Sequence, residues 1–172
     1  GKGDGGTGDD DFGRGRETLN INDRYRFRTA SLLNVEMTAP YTHAGSFDSL
    51  EDVVRHYVNP QGSADNYFNN SEWCNLPQFN GVANCTSLFS NAQTNTQNAL
   101  NKLNQERRAG TSRLPNINLN DTEVAQVVEF LKALTDPCTQ DRSCLADWIP
   151  DTSSNGPDGQ QLNAEDSSGN LL

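Results

Sequence analysis

Clear helical periodicity is confined to two short stretches of this chain, and that scarcity limits the possible folds more than any other feature. In the first, Leu50, Val53, Val54 and Tyr57 fall at i, i+3, i+4 and i+7, on one face of a helix. Ser49 is a suitable N-cap with Asp52 three residues on, close to a capping box. Asn59-Pro60 closes this helix, because proline disfavours helical geometry in the residue before it. In the second stretch, residues 120–135, Val124, Val127, Val128, Leu131 and Leu134 make one stripe. Asn120 with Glu123 has the capping-box arrangement, and Asp136-Pro137 ends the run. A weaker helix is expected over 97–108, with Ala99, Leu100 and Leu103 as a narrow stripe and Gly110 at its end. Two good helices, one poor helix and much irregular chain predict a mainly α fold. They fit a piece of a larger α-helical protein better than a self-sufficient domain.

Composition sharpens this. The chain has 172 residues, a prior of one domain, but only 33% are hydrophobic, against an ordinary apolar content of ~45–50%. The deficit lies in three regions. Residues 1–18 read as a flexible Gly/Asp-rich linker, with seven glycines in the first fifteen positions and the run Asp9-Asp10-Asp11. A calcium loop at DGGTGDDD lacks EF-hand spacing and a closing Glu, so a solvated linker is the expectation. Residues 61–115 are rich in Asn, Gln and Ser, and 151–172 read as a polar tail, with Trp148 and Ile149 before it available to dock back. With 23 acidic and 13 basic side chains the formal charge is -10, which argues against a nucleic-acid binder. No run approaches the ~20 apolar residues of a membrane span.

The four cysteines form no C-x-x-C, which argues against a zinc ribbon or a thioredoxin-like redox motif. They fall into two local pairs, and the spacing suggests disulfides Cys74–Cys85 and Cys138–Cys144, although four cysteines allow three connectivities. Four free thiols in a cytosolic protein is the alternative. Both segments are polar and loop-like, so an oxidising compartment is expected, periplasmic or secreted. No signal peptide is visible and the chain does not begin with Met, as expected of a processed or partial chain.

Residues 24–47, RYRFRTASLLNVEMTAPYTHAGSF, are dense in apolar and aromatic residues but hold neither period. They read as an irregular packed segment, whose backbone polar groups need partners that a metal ion or cofactor can supply.

Three of these segments carry a resemblance. Phe27-Arg28-Thr29-Ala30-Ser31-Leu32-Leu33-Asn34-Val35, Thr38-Ala39-Pro40-Tyr41-Thr42-His43-Ala44-Gly45-Ser46 and Leu50-Glu51-Asp52-Val53-Val54-Arg55-His56-Tyr57 resemble the C-terminal haem domain of bacterial dihaem cytochrome c peroxidases and their MauG-like relatives. The family patterns are F-[KR]-T-P-S-L-R-N-V, T-x-P-Y-F-H-D-G-S and T-L-E-E-V-V-x-x-[YM]. Val128-Glu129-Phe130-Leu131-Lys132-Ala133-Leu134-Thr135-Asp136 is similar to the family's closing helix, F-L-K-x-L-T-D. Order and spacing match over about 24–60 and 119–137, roughly a third of the chain. The resemblance implies that residues 19–150 are the C-terminal part of a cytochrome c-like haem domain, with long irregular loops and a disulfide-containing insertion at 61–115. The family attaches each haem through C-x-x-C-H, absent from this chain, so any haem c is expected on an N-terminal haem-bearing portion or partner chain.

The resemblance also implies roles. Tyr57 matches the position of the distal axial ligand of the C-terminal haem, where the cytochrome c peroxidases carry Met and MauG-like enzymes Tyr. A hard oxygen ligand favours oxidised iron more than a thioether does, which points toward oxidation of a protein or other substrate. The plain alternative is that Tyr57 completes the apolar stripe of its helix. His56 is the alternative ligand, turned ~100° away around the helix. Thr38 and Pro40 match positions whose backbone carbonyls bind calcium, a cation that prefers oxygen ligands. His43 matches a histidine near the haem edge and propionates, and Arg28 a cation that can pair with a propionate. Tyr41 belongs to the same pocket but reads mainly as packing.

Ala30, Leu33 and Ala44 depart from the family's Pro, Arg and Asp, which alters the expected pocket electrostatics. No H-E-x-x-H, G-x-S-x-G, P-loop or dinucleotide fingerprint competes with this reading. The implied activity is a peroxidase-type oxidoreductase that uses hydrogen peroxide to oxidise a protein or other donor, this chain supplying a haem cap and not acting alone. The alternatives are a conventional peroxidase drawing electrons from a small cytochrome, for which an acidic face suits a basic donor, and a haem-less binding module.

Overall fold

Short helices joined by irregular chain make up residues 10–148, the part described by the computed structural model. In order they are α1 (Arg14–Thr18), α2 (Leu50–Val58), α3 (Pro60–Asn69), α4 (Ala92–Arg108), α5 (Asp121–Lys132) and α6 (Arg142–Leu145), with several 3-10 turns between. The fold is mainly α. Among the described residues no strand forms, and pairing is limited to the isolated bridges Gly13–Arg26 and Tyr41–Phe47. The first nine residues, Ile149 and the tail 151–172 lie outside the described residues.

The two expected strong helices form with their expected caps. The Ser49 hydroxyl accepts from the Asp52 amide at the start of α2. At α5, Asn120 accepts from the Glu123 amide while the Glu123 carboxylate accepts from the Asn120 amide, a complete capping box. α2 and α5 pack together through Leu50, Val54 and Val124. Val124 is the deepest of them, 2% exposed. Each such side chain contributes about 1.5–3 kcal/mol by leaving water.

α3 is a helix that the periodicity did not predict. Asn59 ends α2 and caps α3, its side chain accepting from the Gly62 amide. Pro60 therefore stops one helix and starts the next: at the first helical position its missing N–H costs nothing and its φ is preset. α4 begins at Ala92, five residues before the expected 97, and buries only Leu100. Its polar surface is held by local pairs: Gln97 donates to Asn101, and Lys102 pairs with Glu106, which also receives Arg26.

Both disulfides form as the spacing suggested, Cys74–Cys85 and Cys138–Cys144, and among the described residues no cysteine is free. The first sits in a small separate core of Trp73, Leu76 and Cys85, against which Tyr67, Cys74 and Phe79 pack. Trp148 does not dock; it is 81% exposed. No helix among the described residues is long and apolar enough to cross a membrane.

Residues 24–47 depart from the expected packed segment. The backbone is irregular, but Phe27, Leu32 and Leu33 are exposed, Leu33 by 70%, and Tyr41 is the buried aromatic. The segment is anchored by its ends and by α5. The Asn34 amide donates to the Leu134 carbonyl, Asn34 accepts from the Asp136 amide, and Thr135 donates to Glu36.

Candidate functional site

The last turn of α2 presents Tyr57. Leu50 and Val54 on the same helix are buried against α5, yet Tyr57, next on that stripe, is 52% exposed. The stripe thus runs off the end of its packing partner, and the expected seat among the valines is only half filled. His56, one residue back, turns the other way. Its Nδ1 lies 3.1 Å from the Ser63 hydroxyl, and its ring packs against Phe47. Burial between α2 and α3 holds its pKa below the ordinary histidine value.

His43 lies in the turn after Tyr41. Its ring stacks on Phe27, 3.6 Å between centroids and 13° between planes. Its Nε2 faces the Asp11 carboxylate at 3.6 Å. Burial lowers the His43 pKa and Asp11 opposes it, with burial the larger effect. Ala44 follows His43 where the family pattern has Asp, and Asp11 brings a carboxylate to this imidazole from a different part of the chain.

Asp11 belongs to the acidic run expected to be a solvated linker. Its described part, 10–18, is tied down. Tyr25 donates its phenol to Asp10 at 2.8 Å, and burial first, then Asp10, push that phenol up to about 12. Arg14 donates its amide to Arg26, and Arg24 lies over the Phe12 ring. Charge alone could not reveal this in the sequence. The aromatic Phe12 and the Gly-x-Gly at 13–15 were the only local signs that the chain turns there.

The remaining expected residues separate. Tyr41 is buried and donates its O–H to the Glu36 carbonyl, a packing role. Arg28 is exposed and makes no ion pair among the described residues. Thr38 and Pro40 flank a cis Ala39–Pro40 peptide, and among the described residues neither of their carbonyls accepts a hydrogen bond. No cluster of three or more His, Cys, Asp or Glu side chains forms a metal site among the described residues.

A cleft of about 780 Å³ opens between α2, α3 and α5 and contains none of these residues. Asp48, Asp52 and Asp65 border it, with Phe47, Tyr67, Leu76 and Val124 as its apolar walls. Among the described residues these carboxylates do not form a group that could hold a metal ion. The chemistry is better sought at Tyr57 and His43.

Comparison with known proteins gives one partial likeness. No family model matches the chain, and no solved structure matches it. A cytochrome-c peroxidase of Pseudomonas sp. (strain SCT) is 45% identical to it over 53 residues, 31% of this chain. The chain spans 14% of that relative's length. This supports a distant relationship to the peroxidase family, carried by a segment of this chain and not by its whole length.

Proposed function

We propose that this chain is the C-terminal part of a periplasmic or secreted dihaem peroxidase of the MauG-like kind, and that it forms one wall of a haem pocket. The observation that supports this most is where the apolar side chains go. Phe27, Leu32, Leu33 and Tyr57 all belong to the segments that resemble the family, and all are exposed. Leaving large apolar groups in water is unfavourable by about 25 cal/mol per Å², so a covering group would be stabilising here.

The residues fit a haem as far as a wall can. Tyr57 offers a phenol oxygen at the end of α2, Phe27 and the leucines offer apolar surface, Arg28 offers a cation for a propionate, and His43 offers an imidazole hydrogen-bonding group. A haem held there supplies the reaction with peroxide and the storage of oxidising equivalents. The protein's part is to orient and to exclude water: α2 fixes the direction of Tyr57, and the Phe27–His43 stack fixes the imidazole. His56 is the poorer ligand, since its Nδ1 is already engaged by Ser63. Thr38 and Pro40 carbonyls would contribute to a calcium site completed by the haem-bearing portion.

The substrate in this reading is hydrogen peroxide, with a protein or other donor to be oxidised, and Tyr57 would be the residue of this chain that caps the haem. A visible absorption spectrum of the native, full-length protein tests it. A Soret band in the polypeptide that carries or co-purifies with this chain is expected. Its absence would leave a haem-less binding module on the same scaffold.

A further inference from the structure

We propose that Asp11 is the positioning residue for His43: it holds the imidazole over Phe27 with Nε2 turned to the carboxylate, leaving Nδ1 for an outside group, an anionic acceptor on this wall when the imidazole is protonated. The inference rests on the haem-wall reading for the identity of that acceptor, but the pair itself is a property of this chain.

The carboxylate is oriented before it meets the histidine. Its Oδ1 accepts from the Gly13 amide at 2.9 Å, which leaves Oδ2 toward His43 Nε2 at 3.6 Å. Gly13 is in turn fixed: φ is +51°, a backbone conformation that suits glycine. A Cβ there would come within 2.6 Å of the Arg26 carbonyl oxygen and 2.9 Å of the Phe27 ring. The chain at 11–13 therefore seats directly on the Phe27 that stacks under His43. Carboxylate, turn, aromatic ring and imidazole form one contiguous arrangement, drawn from three separate parts of the chain.

The arrangement selects an orientation. With one face of the imidazole covered by Phe27 and Nε2 directed at a carboxylate, Nδ1 is the remaining ring nitrogen for an outside group. The charged groups around His43 are few. Asp11 acts on it from the 10–13 segment. On the 24–28 segment Arg26 is engaged by Asp23 and Glu106, and Arg28 is exposed. On α2, Asp52 is held by the Ser49 cap, Arg55 pairs with Glu51 and Asp121, and His56 is turned toward Ser63. The opposite charge of Asp11 favours the protonated imidazole against the larger opposing effect of burial, and only in that form do both nitrogens donate.

The test is an NMR titration of the full chain, made simple because it contains two histidines, with His56→Gln to assign the signals. Asp11→Asn is expected to weaken proton binding at His43 about threefold, the scale of an opposite charge at a half-exposed site. Asp11→Glu is expected to restore most of it, and molar salt to shrink the difference. Gly13→Ala, which unseats Phe27, is expected to move the same titration. Identical His43 curves in wild type and Asp11→Asn would overturn the proposal. In the full-length protein the acid limb of the activity profile should move with the His43 titration. A titration that moves while the profile does not would also overturn it. Loss of the haem reading is seen separately, in the visible spectrum, and leaves the titration result intact.

Discussion

The disulfide-bonded stretch around Cys74 and Cys85 and the segments around it differ in how they treat their apolar side chains. Between residues 72 and 89 a short stretch with no regular helix longer than a turn buries Trp73, Leu76 and Cys85 on itself. Trp73 also meets Phe79 and Phe89 edge-on or tilted. The stretches 24–47 and the end of α2 have as many large apolar residues, yet Phe27, Leu32, Leu33 and Tyr57 stay exposed. A short segment cannot bury enough surface to offset the entropy of ordering it unless something limits the unfolded chain or something else covers it. The insertion has its cross-link, Cys74–Cys85. The peroxidase-like segments have no cross-link of their own, and among the described residues Phe27, Leu32, Leu33 and Tyr57 are left uncovered. Within 72–89 Val82, Leu88 and Phe89 also stay exposed, so what sets this stretch apart is its small buried core around the cross-link.

The contrast can be broken most sharply at the cross-link. Replacing both Cys74 and Cys85 by Ala should cost the insertion about 2–3 kcal/mol, the loop-closure entropy of a short bridge. Hydrogen exchange should then show protection lost across 72–89 and retained in α2 and α5. Loss spread evenly over all helices would mean that the insertion is not a separate unit. Next in size, Val124→Ala removes the best-buried contact of α5 on α2 and should cost about 2 kcal/mol, read as a lower denaturant midpoint at unchanged slope. Asn120→Ala breaks one arm of the α5 capping box and should cost about 1 kcal/mol.

Acid should act through His56. Burial holds its folded pKa below the ordinary 6.5, so just below that value the unfolded chain binds more protons than the folded one. Stability is therefore full above about 6.5 and is lost as pH falls through the folded value. The His56→Gln chain should show a flatter dependence over that window in thermal melts at several pH values. The smallest effect on folding belongs to the exposed wall. Tyr57→Phe should change the stability of this chain by no more than about 0.5 kcal/mol, and a larger loss would mean that Tyr57 is part of the core.

The elements with strong periodicity and caps were legible in the sequence. α2 and α5 begin at Ser49 and Asn120 because side-chain capping there is a local property of a few residues. The disulfide pairs were legible from spacing for the same reason. α3 was not, because Pro60 reads equally as a stop and as a start, and the Asn-rich helix after it has only a weak apolar stripe. Nor was the exposure of Phe27, Leu32 and Leu33, since periodicity assigns a residue to a face without saying what covers that face. The candidate site was half legible. Tyr57, His43, Thr38 and Pro40 came from motif resemblance. Asp11 did not, because its partner is 32 residues along the chain and the run around it looks solvated.

The proposed function turns on whether Tyr57 meets a haem. The most direct measurement is the visible and electron-paramagnetic-resonance spectrum of the full-length haem-bearing protein, wild type against Tyr57→Phe. The account predicts that the wild type shows a six-coordinate low-spin haem that Tyr57→Phe converts to another ligation state, while this chain stays folded. A low-spin signal unchanged by the substitution would contradict it.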